Sequence, residues 1–247
     1  MTYVMSDIHG NMRRFQSVMK QIKLQPEDTL YVLGDVIDRY PDGGRILIKL
    51  MDMPNVRMLL GNHEYMMLDV FDSPAPQDYE AFYLQAEKTT LWYQNGGRVT
   101  HEYFKHIRKD LRARVFAYLR ARPLQADIEI GGARYHLTHG GDLNEHERHK
   151  WRFPDEKYYA VWYRRTADEI PPKDYTVIFG HTPTGHYQKD QVLRIWHGDH
   201  QIGIDCGSGY PDAADRWGFL YYGRLACLRL DDMKEFYSEE PYGENVS

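Results

Sequence analysis

The chain has 247 residues, 42% apolar content and a formal net charge of −5, enough for one sizeable core and a single domain over residues 1–247. The mild acidity argues against general nucleic-acid binding, which uses a basic surface, and the two cysteines, Cys206 and Cys227, exclude a disulfide framework by number. No run approaches the roughly 18 apolar residues that span a membrane, and no basic, apolar leader precedes the first strand, so the expectation is a cytoplasmic protein without a membrane partner.

Thr2–Met5 is a short β-rich run, after which Met12, Phe15, Val18, Met19 and Ile22 recur at helical spacing. Pro26 and Asp28 break that pattern, and Thr29–Leu33 reads as a second strand. Ile46, Leu47, Leu50 and Met51 mark a second helix that ends before Pro54, and Val56–Leu60 is a third strand. This βαβαβ order predicts parallel strands with right-handed crossovers. Residues 72–125 break the alternation. Ser73-Pro74-Ala75-Pro76 is a turn-rich loop, and helices over 79–93 and 108–121 are separated by Asn95-Gly96-Gly97. The block reads as a helical insertion that shapes the mouth of a site. Strands dominate from residue 126. Asp127–Ile130 and Tyr135–Thr138 flank Gly131-Gly132-Ala133, a hairpin signal, and further strands are predicted at 175–179, 191–196, 201–205, 218–222 and 224–230. The crowd of Asp231, Asp232, Glu235, Glu239, Glu240 and Glu244 reads as a solvated stretch.

Five short runs carry groups that bind hard or borderline metal ions: Ser6-Asp7-Ile8-His9-Gly10-Asn11, Gly34-Asp35-Val36-Ile37-Asp38-Arg39, Gly61-Asn62-His63-Glu64, Thr138-His139-Gly140-Gly141 and Gly180-His181-Thr182-Pro183. Each follows a predicted strand. Strand ends that deliver carboxylate, imidazole and amide groups converge on one sheet edge, where open α/β sheets build their sites. Taken singly, each residue has a structural alternative: Asp7 as a helix N-cap, Asp35 and Asn62 as turn residues, His139 and His181 as core or surface histidines. Their joint occurrence at five strand ends favours a metal cluster. Asp35 has two carboxylate oxygens and is able to bridge two cations. A mixed oxygen and nitrogen set without thiolate suits manganese, iron, zinc or cobalt, and the imidazoles argue against a site selective for magnesium or calcium.

The ordered set DxH, GDxxDR, GNHE, HGG and GHTP resembles the calcineurin-like metallophosphoesterase superfamily, in particular the branch of the phosphoprotein phosphatases, lambda-type protein phosphatases and bacterial symmetrical diadenosine tetraphosphatases. The resemblance covers residues 2 to about 230. It implies an α/β fold with a two-sheet β sandwich flanked by helices, and a dinuclear centre of two divalent or trivalent transition-metal ions, manganese foremost, with iron and zinc as alternatives. It places Asp7, His9 and Asp35 on one ion and Asp35, Asn62, His139 and His181 on the other. It makes His63 a general acid oriented by Asp38. Arg39, which ends the GDVIDR run, and Arg164, in Val161-Trp162-Tyr163-Arg164, become phosphate clamps, with Arg165 the neighbouring alternative.

Three departures bear on these expectations. Tyr40 stands where the family has glycine, which predicts a different course for the loop holding Arg39. Pro183 stands where wider members carry a second metal-binding histidine, a loss shared with the protein phosphatases. Glu64 stands where the diadenosine tetraphosphatases carry aspartate, which leans toward a phosphatase. The function expected is hydrolysis of phosphomonoesters, with a phosphorylated protein or a small phosphoester as partner. The alternatives are symmetrical hydrolysis of diadenosine tetraphosphate and a non-catalytic phosphate-sensing module. Metal content and turnover of p-nitrophenyl phosphate separate the last from the first two.

Overall fold

Thr2–Met5 (β1), Thr29–Val32 (β2) and Val56–Met58 (β3) form a parallel trio, Met5 in register with Val32 and Val32 with Met58. The computed structural model describes residues 1–169, 173–188, 193–210 and 223–239, and every structural statement below concerns these. Ala226–Arg229 (β9) pairs antiparallel with β1 on the other side, and Lys234–Tyr237 (β10) pairs antiparallel with β9. The first sheet thus runs β10-β9-β1-β2-β3. The second runs β4-β5-β6-β8-β7, from Gln125–Ile130 (β4), Ala133–Thr138 (β5), Thr176–Phe179 (β6), Trp196–Gly198 (β7) and Gln201–Gly203 (β8). In it β5, β6 and β8 are parallel, while β4 and β7 are antiparallel edges.

The period of two along each strand sorts side chains into two cores. Tyr3, Met5, Leu30 and Val32 face the helices Met12–Ile22 (α1) and Gly43–Met51 (α2), meeting Phe15, Val18, Ile46 and Leu47. Val4 and Leu228, cross-strand partners, face the other way and meet Leu137, Ile178 and Ile202 of the second sheet. The two sheets therefore pack face to face, and helices cover the outer face of the first, as parallel strands with two apolar faces require.

Two helices absent from the sequence pattern complete this side. Asn62–Phe71 (α3) starts on a metal-motif residue and buries Met66, Met67, Leu68 and Val70; with apolar residues on most sides it lacks an amphipathic stripe. Arg98–His106 (α5) lies between Tyr79–Gln94 (α4) and Lys109–Arg120 (α6), so the insertion holds three helices rather than two. Between β5 and β6 lie a 3₁₀ turn at Leu143–Glu145, His146–His149 (α7) and Glu156–Trp162 (α8).

The acidic stretch is not simply solvated: residues 234–237 are β10, where Glu235 accepts from His197 Nε2 at 2.7 Å and Phe236 packs on Tyr3 at a ring separation of 6.2 Å. The strand expected over 191–196 begins only at Trp196, with 191 and 192 outside the described residues, and the one expected over 218–222 lies wholly outside them. No described helix is long and apolar enough to cross a membrane.

Candidate metal centre

The parallel registers bring the five motifs to one place. β1 and β2 end level, and their pairing continues into the loops: the Asp7 amide donates to Gly34 O (3.1 Å), His9 to Asp35 O (2.9 Å) and Gly10 to Val36 O (2.8 Å). In the second sheet Thr138 is in register with Phe179, so His139 and Gly180 follow on neighbouring strands. The two sheets are joined at the site itself. His139 Nδ1 donates to Leu33 O at 2.8 Å, and the His181 amide donates to Asp7 Oδ2 at 3.0 Å.

Asp35 is the hub. Its Oδ1 accepts the His63 amide at 3.0 Å, at the N-terminus of α3, where the helix dipole favours an anion. Its Oδ2 faces three imidazole Nε2 atoms: His139 at 3.5 Å, His63 at 3.7 Å and His9 at 3.8 Å. Each of those rings has its Nδ1 held by an acceptor, Leu33 O for His139, Asp38 Oδ2 for His63 (2.7 Å) and Ile37 O for His9 (3.2 Å). A carbonyl accepts only an N–H, which places a proton on Nδ1 of His9 and of His139 and turns Nε2 of each ring toward the cluster, the orientation that metal-binding histidines use. Asn62 Oδ1 lies 3.0 Å from His139 Nε2, and the His139 and His181 rings are 5.0 Å apart. Asp7 Oδ1 is 3.8 Å from His9 Nε2.

Asp7, His9, Asp35, Asn62, His139 and His181 are thus brought together, all buried. Ligand atoms of His9, Asp35 and His63, and of Asp35, His139 and His181, lie within 4.8 Å of one another in two groups that share Asp35. His181 Nε2 is buried with no hydrogen-bond partner, a costly condition for a polar atom unless a ligand answers it. This donor set, with one shared carboxylate, imidazoles and an amide oxygen, fits two borderline metal ions.

The charges of the cluster are tightly linked. Burial drives the His9 and His181 imidazoles well below their usual range, keeping them neutral. Burial pushes the Asp7 carboxyl up to about 8, with the Asp205 charge acting in the same direction. Burial also opposes ionisation of Asp35, but His139 and His63 outweigh it and hold that carboxyl well below its usual range. For His139 the balance is reversed: burial acts to lower it, Asp35 overrides, and the imidazole rises to about 9.

The backbone is strained where the ligands sit. Asp7, His9, Asp35, Asp38, Arg39 and His181 all have φ between 51° and 72°, a left-handed region that costs non-glycine residues energy and marks functional segments. Gly61 and Gly180 permit the close approach: a side-chain carbon at Gly61 would overlap Asp35 Oδ1, and one at Gly180 would overlap Asp7 Oδ2.

Around the ligands, His63 and Asp38 form a buried pair at 2.7 Å. Burial acts to lower the His63 imidazole, but the Asp35 and Asp38 carboxylates prevail and it is raised. Arg39 is exposed; its guanidinium lies against Gly209 beside the His9 ring. In the loop that follows, the left-handed angles fall on Asp38 and Arg39, and Tyr40 is anchored by its amide on His9 O (3.1 Å) and its hydroxyl on Tyr210 O (2.8 Å). Arg164 is exposed and donates from Nη1 to His181 O at 2.7 Å. Arg165 turns away into the second sheet, buried, with ion pairs to Glu145 (3.0 Å) and Glu169 (3.3 Å).

Sequence reasoning missed three contributors. The Glu64 carboxylate is fully buried and accepts the amides of Asp35 (2.9 Å), Val36 (2.9 Å), Ile37 (3.3 Å) and Gly61 (3.2 Å). It therefore holds the Asp35 loop. A glutamate at the third position of a helix is a recognisable signal of this kind. Thr100 Oγ1 accepts the Asp38 amide at 3.0 Å, and the Trp92 indole donates to Asp38 Oδ2 at 2.8 Å; nothing local in the sequence marks either.

The chain is 39% identical over 72 residues to a symmetrical bis(5'-nucleosyl)-tetraphosphatase of Erwinia tasmaniensis, covering 28% of this chain and 26% of that protein. The counterpart from Pectobacterium atrosepticum is 36% identical over 72 residues, so the chain matches about a quarter of the length of these curated relatives. Solved structures share the fold over nearly the whole chain. One provisionally assigned as a diadenosine tetraphosphatase has a TM-score of 0.61 at 17% identity, covering 98% of this chain and 94% of that one. A Saccharomyces cerevisiae protein serine/threonine phosphatase has a TM-score of 0.53 at 14% identity, covering 99% and 81%. The sequence profile of the Calcineurin-like phosphoesterases matches residues 2–207. With that profile covering β1 to β8 and all five motifs, the chain belongs to the calcineurin-like phosphoesterase family, whose members are metal-dependent phosphoester hydrolases.

Proposed function

We propose that this chain hydrolyses phosphomonoesters, with phosphorylated serine, threonine or tyrosine side chains of proteins as substrates. The observation that carries the reading is the Asp35 carboxylate facing three imidazole Nε2 atoms within 3.8 Å, beside a buried His63–Asp38 pair. Asp7, His9 and Asp35 would hold one ion and Asp35, Asn62, His139 and His181 the other, with manganese, iron or zinc suited to the donors. Two such ions supply an acidified water and withdraw charge from phosphate oxygens.

The chain's own residues supply the remaining parts. His63 carries a proton on Nδ1 toward Asp38 and presents Nε2 to the site. Against burial, the Asp35 and Asp38 carboxylates raise the basicity of His63 above that of an ordinary imidazole, which favours the ring form whose Nε2–H would pass to the departing oxygen of the ester. Asp38 holds the ring in that tautomer and compensates its charge. Arg39 and Arg164, both exposed at the rim, would take the phosphate oxygens, a task that a planar guanidinium performs with two donors.

The set of five motifs, with Gly180-His181-Thr182-Pro183 lacking a second histidine as in protein phosphatases, supports a phosphoprotein substrate. A second reading, symmetrical hydrolysis of diadenosine tetraphosphate, is favoured by the 39% identity over 72 residues. Parallel kinetics on a phosphopeptide panel and on diadenosine tetraphosphate, with manganese loaded, separates them. The phosphopeptides should give the higher kcat/KM; a tenfold or greater advantage for the dinucleotide would overturn the proposal in favour of the second reading.

A further inference from the structure

The three-helix insertion does more than border the site. Trp92, on the last turn of α4, is wholly buried, and its indole N–H donates to Asp38 Oδ2 at 2.8 Å across 54 residues of chain. The same oxygen lies 2.7 Å from His63 Nδ1. Asp38 Oδ1 is buried and has no hydrogen-bond partner. The orientation of the carboxylate is therefore set by the two donors that share Oδ2. Indole nitrogen only donates, so this contact cannot reverse when the imidazole gives up a proton.

The indole is itself fixed. It stacks on His101 at 5.4 Å and 26°, meets Phe71 edge-on at 6.0 Å, and lies so close to Gly97 that a side-chain carbon there would overlap the ring. The turn that follows completes a clamp on the Asp38–Arg39 segment: Gly96 O accepts the Arg39 amide at 3.2 Å, and Thr100 Oγ1 accepts the Asp38 amide at 3.0 Å. A purely structural tryptophan would satisfy its N–H on any nearby carbonyl. This one reaches a carboxylate whose other contact is the candidate acid.

We propose that Trp92 is a positioning residue for protonation of the leaving group, acting through Asp38 on His63. The proposal rests on the reading of His63 as general acid. The test uses Trp92→Phe, and the same position carrying 3-benzothienylalanine, which keeps the bicyclic shape and replaces N–H by sulfur. Both are assayed on a phosphoserine peptide, whose leaving alkoxide needs a proton, and on p-nitrophenyl phosphate, whose leaving group hardly does. The expected result is a fall in kcat of at least about tenfold on the peptide, a share of the about 10²–10⁴-fold that a positioned acid supplies. KM and metal content should be unchanged, with less than about threefold loss on p-nitrophenyl phosphate.

Trp92→Phe added to His63→Asn should cost nothing further, because residues acting as one unit are not additive. If His63→Asn is selective for the peptide while both Trp92 variants lose equally on the two substrates, or lose nothing, the role of Trp92 is refuted and the acid stands. If His63→Asn itself shows no selectivity, the acid reading falls first. Should the variants fail to fold, the metal-free natural chain labelled with ¹⁵N-tryptophan decides: the Trp92 indole resonance should be protected from exchange and should shift in Asp38→Asn, and an unshifted, rapidly exchanging signal refutes the contact.

Discussion

His63 and Asp38 meet at 2.7 Å through Nδ1 and Oδ2, both side chains buried, while the far nitrogen of the same ring stands 3.7 Å from Asp35 Oδ2. One imidazole thus spans from an orienting carboxylate to the metal-ligand cluster. That geometry makes a specific demand on kinetics. His63→Asn should cut turnover of alkyl phosphates by about 10²–10⁴-fold and leave both metals in place, since the residues proposed to hold them, Asp7, His9, Asp35, Asn62, His139 and His181, are all untouched. Turnover of p-nitrophenyl phosphate should fall far less. Equal losses on the two substrates would assign His63 to metal positioning instead.

Glu64 provides a test of how the Asp35 loop is held. Four backbone amides converge on its carboxylate, and a buried amide left without an acceptor costs about 1–3 kcal/mol. Glu64→Ala should therefore lower unfolding free energy by at least about 3 kcal/mol, with water entering the gap to satisfy some of the donors. Elemental analysis should find less metal bound, because Asp35 and Val36 lose their anchor. Glu64→Asp is the informative comparison: its shorter arm should retain much of the metal but not all of the stability. A Glu64→Ala chain with unchanged melting temperature and full metal would remove this anchoring role.

How much of this was legible beforehand follows from where each interaction lies in the chain. The gathering of Asp7, His9, Asp35, Asn62, His139 and His181 was legible because each lies within a few residues of a strand end, and the parallel register that brings strand ends together follows from strand order. Trp92 was not, since the contact joins α4 to a loop 54 residues earlier and nothing in Leu91-Trp92-Tyr93 distinguishes a hydrogen-bonded indole from a packed one. The helix at 62–71 was hidden because Met66, Met67, Leu68 and Val70 are buried on several sides, which erases the amphipathic period. β10 was hidden for the opposite reason: its charges suggested solvent, yet Glu235 finds His197 across the sheets and Phe236 covers Tyr3.

Metal removal should make stability depend on pH in a defined direction. In the metal-free protein the Asp7 carboxyl is raised to about 8 and the His139 imidazole to about 9. Both groups hold protons in the folded state that they release in the unfolded state, so their contribution is full at low pH and is lost as pH rises through those values. The groups lowered by burial, His9 and His181, act only below about pH 7, near the ordinary histidine range. The melting temperature of the chelated protein should therefore fall from pH 7 to pH 9. Added manganese should raise it, and by more at pH 9 than at pH 7, because an ion competes with the same protons. A metal-free melting temperature that climbs over this window would contradict the assignment.

Arg164 and Arg165 are neighbours in sequence and opposite in environment, so paired substitutions should separate a substrate contact from a structural one. Arg165 is buried between Glu145 and Glu169, and removing one partner of a buried ion pair costs about 3–5 kcal/mol. Arg165→Met should lower the melting temperature by roughly 6–20 °C, from about 2–4 °C per kcal/mol at this size. Its effect on kcat/KM, measured well below that temperature, should be small. Arg164 is exposed and holds only His181 O among the described contacts. Arg164→Ala should leave the melting temperature within about 2 °C, as an exposed site loses little. It should raise KM and lower kcat together, because a guanidinium on phosphate oxygens binds the ester and holds the transition state more tightly still. Loss of a charge-assisted hydrogen bond of about 1.5–3 kcal/mol corresponds to roughly ten- to hundredfold in kcat/KM. The opposite pattern, with Arg164→Ala destabilising and Arg165→Met impairing substrate binding, would move the clamp by one residue and leave Arg164 as a brace for the His181 loop.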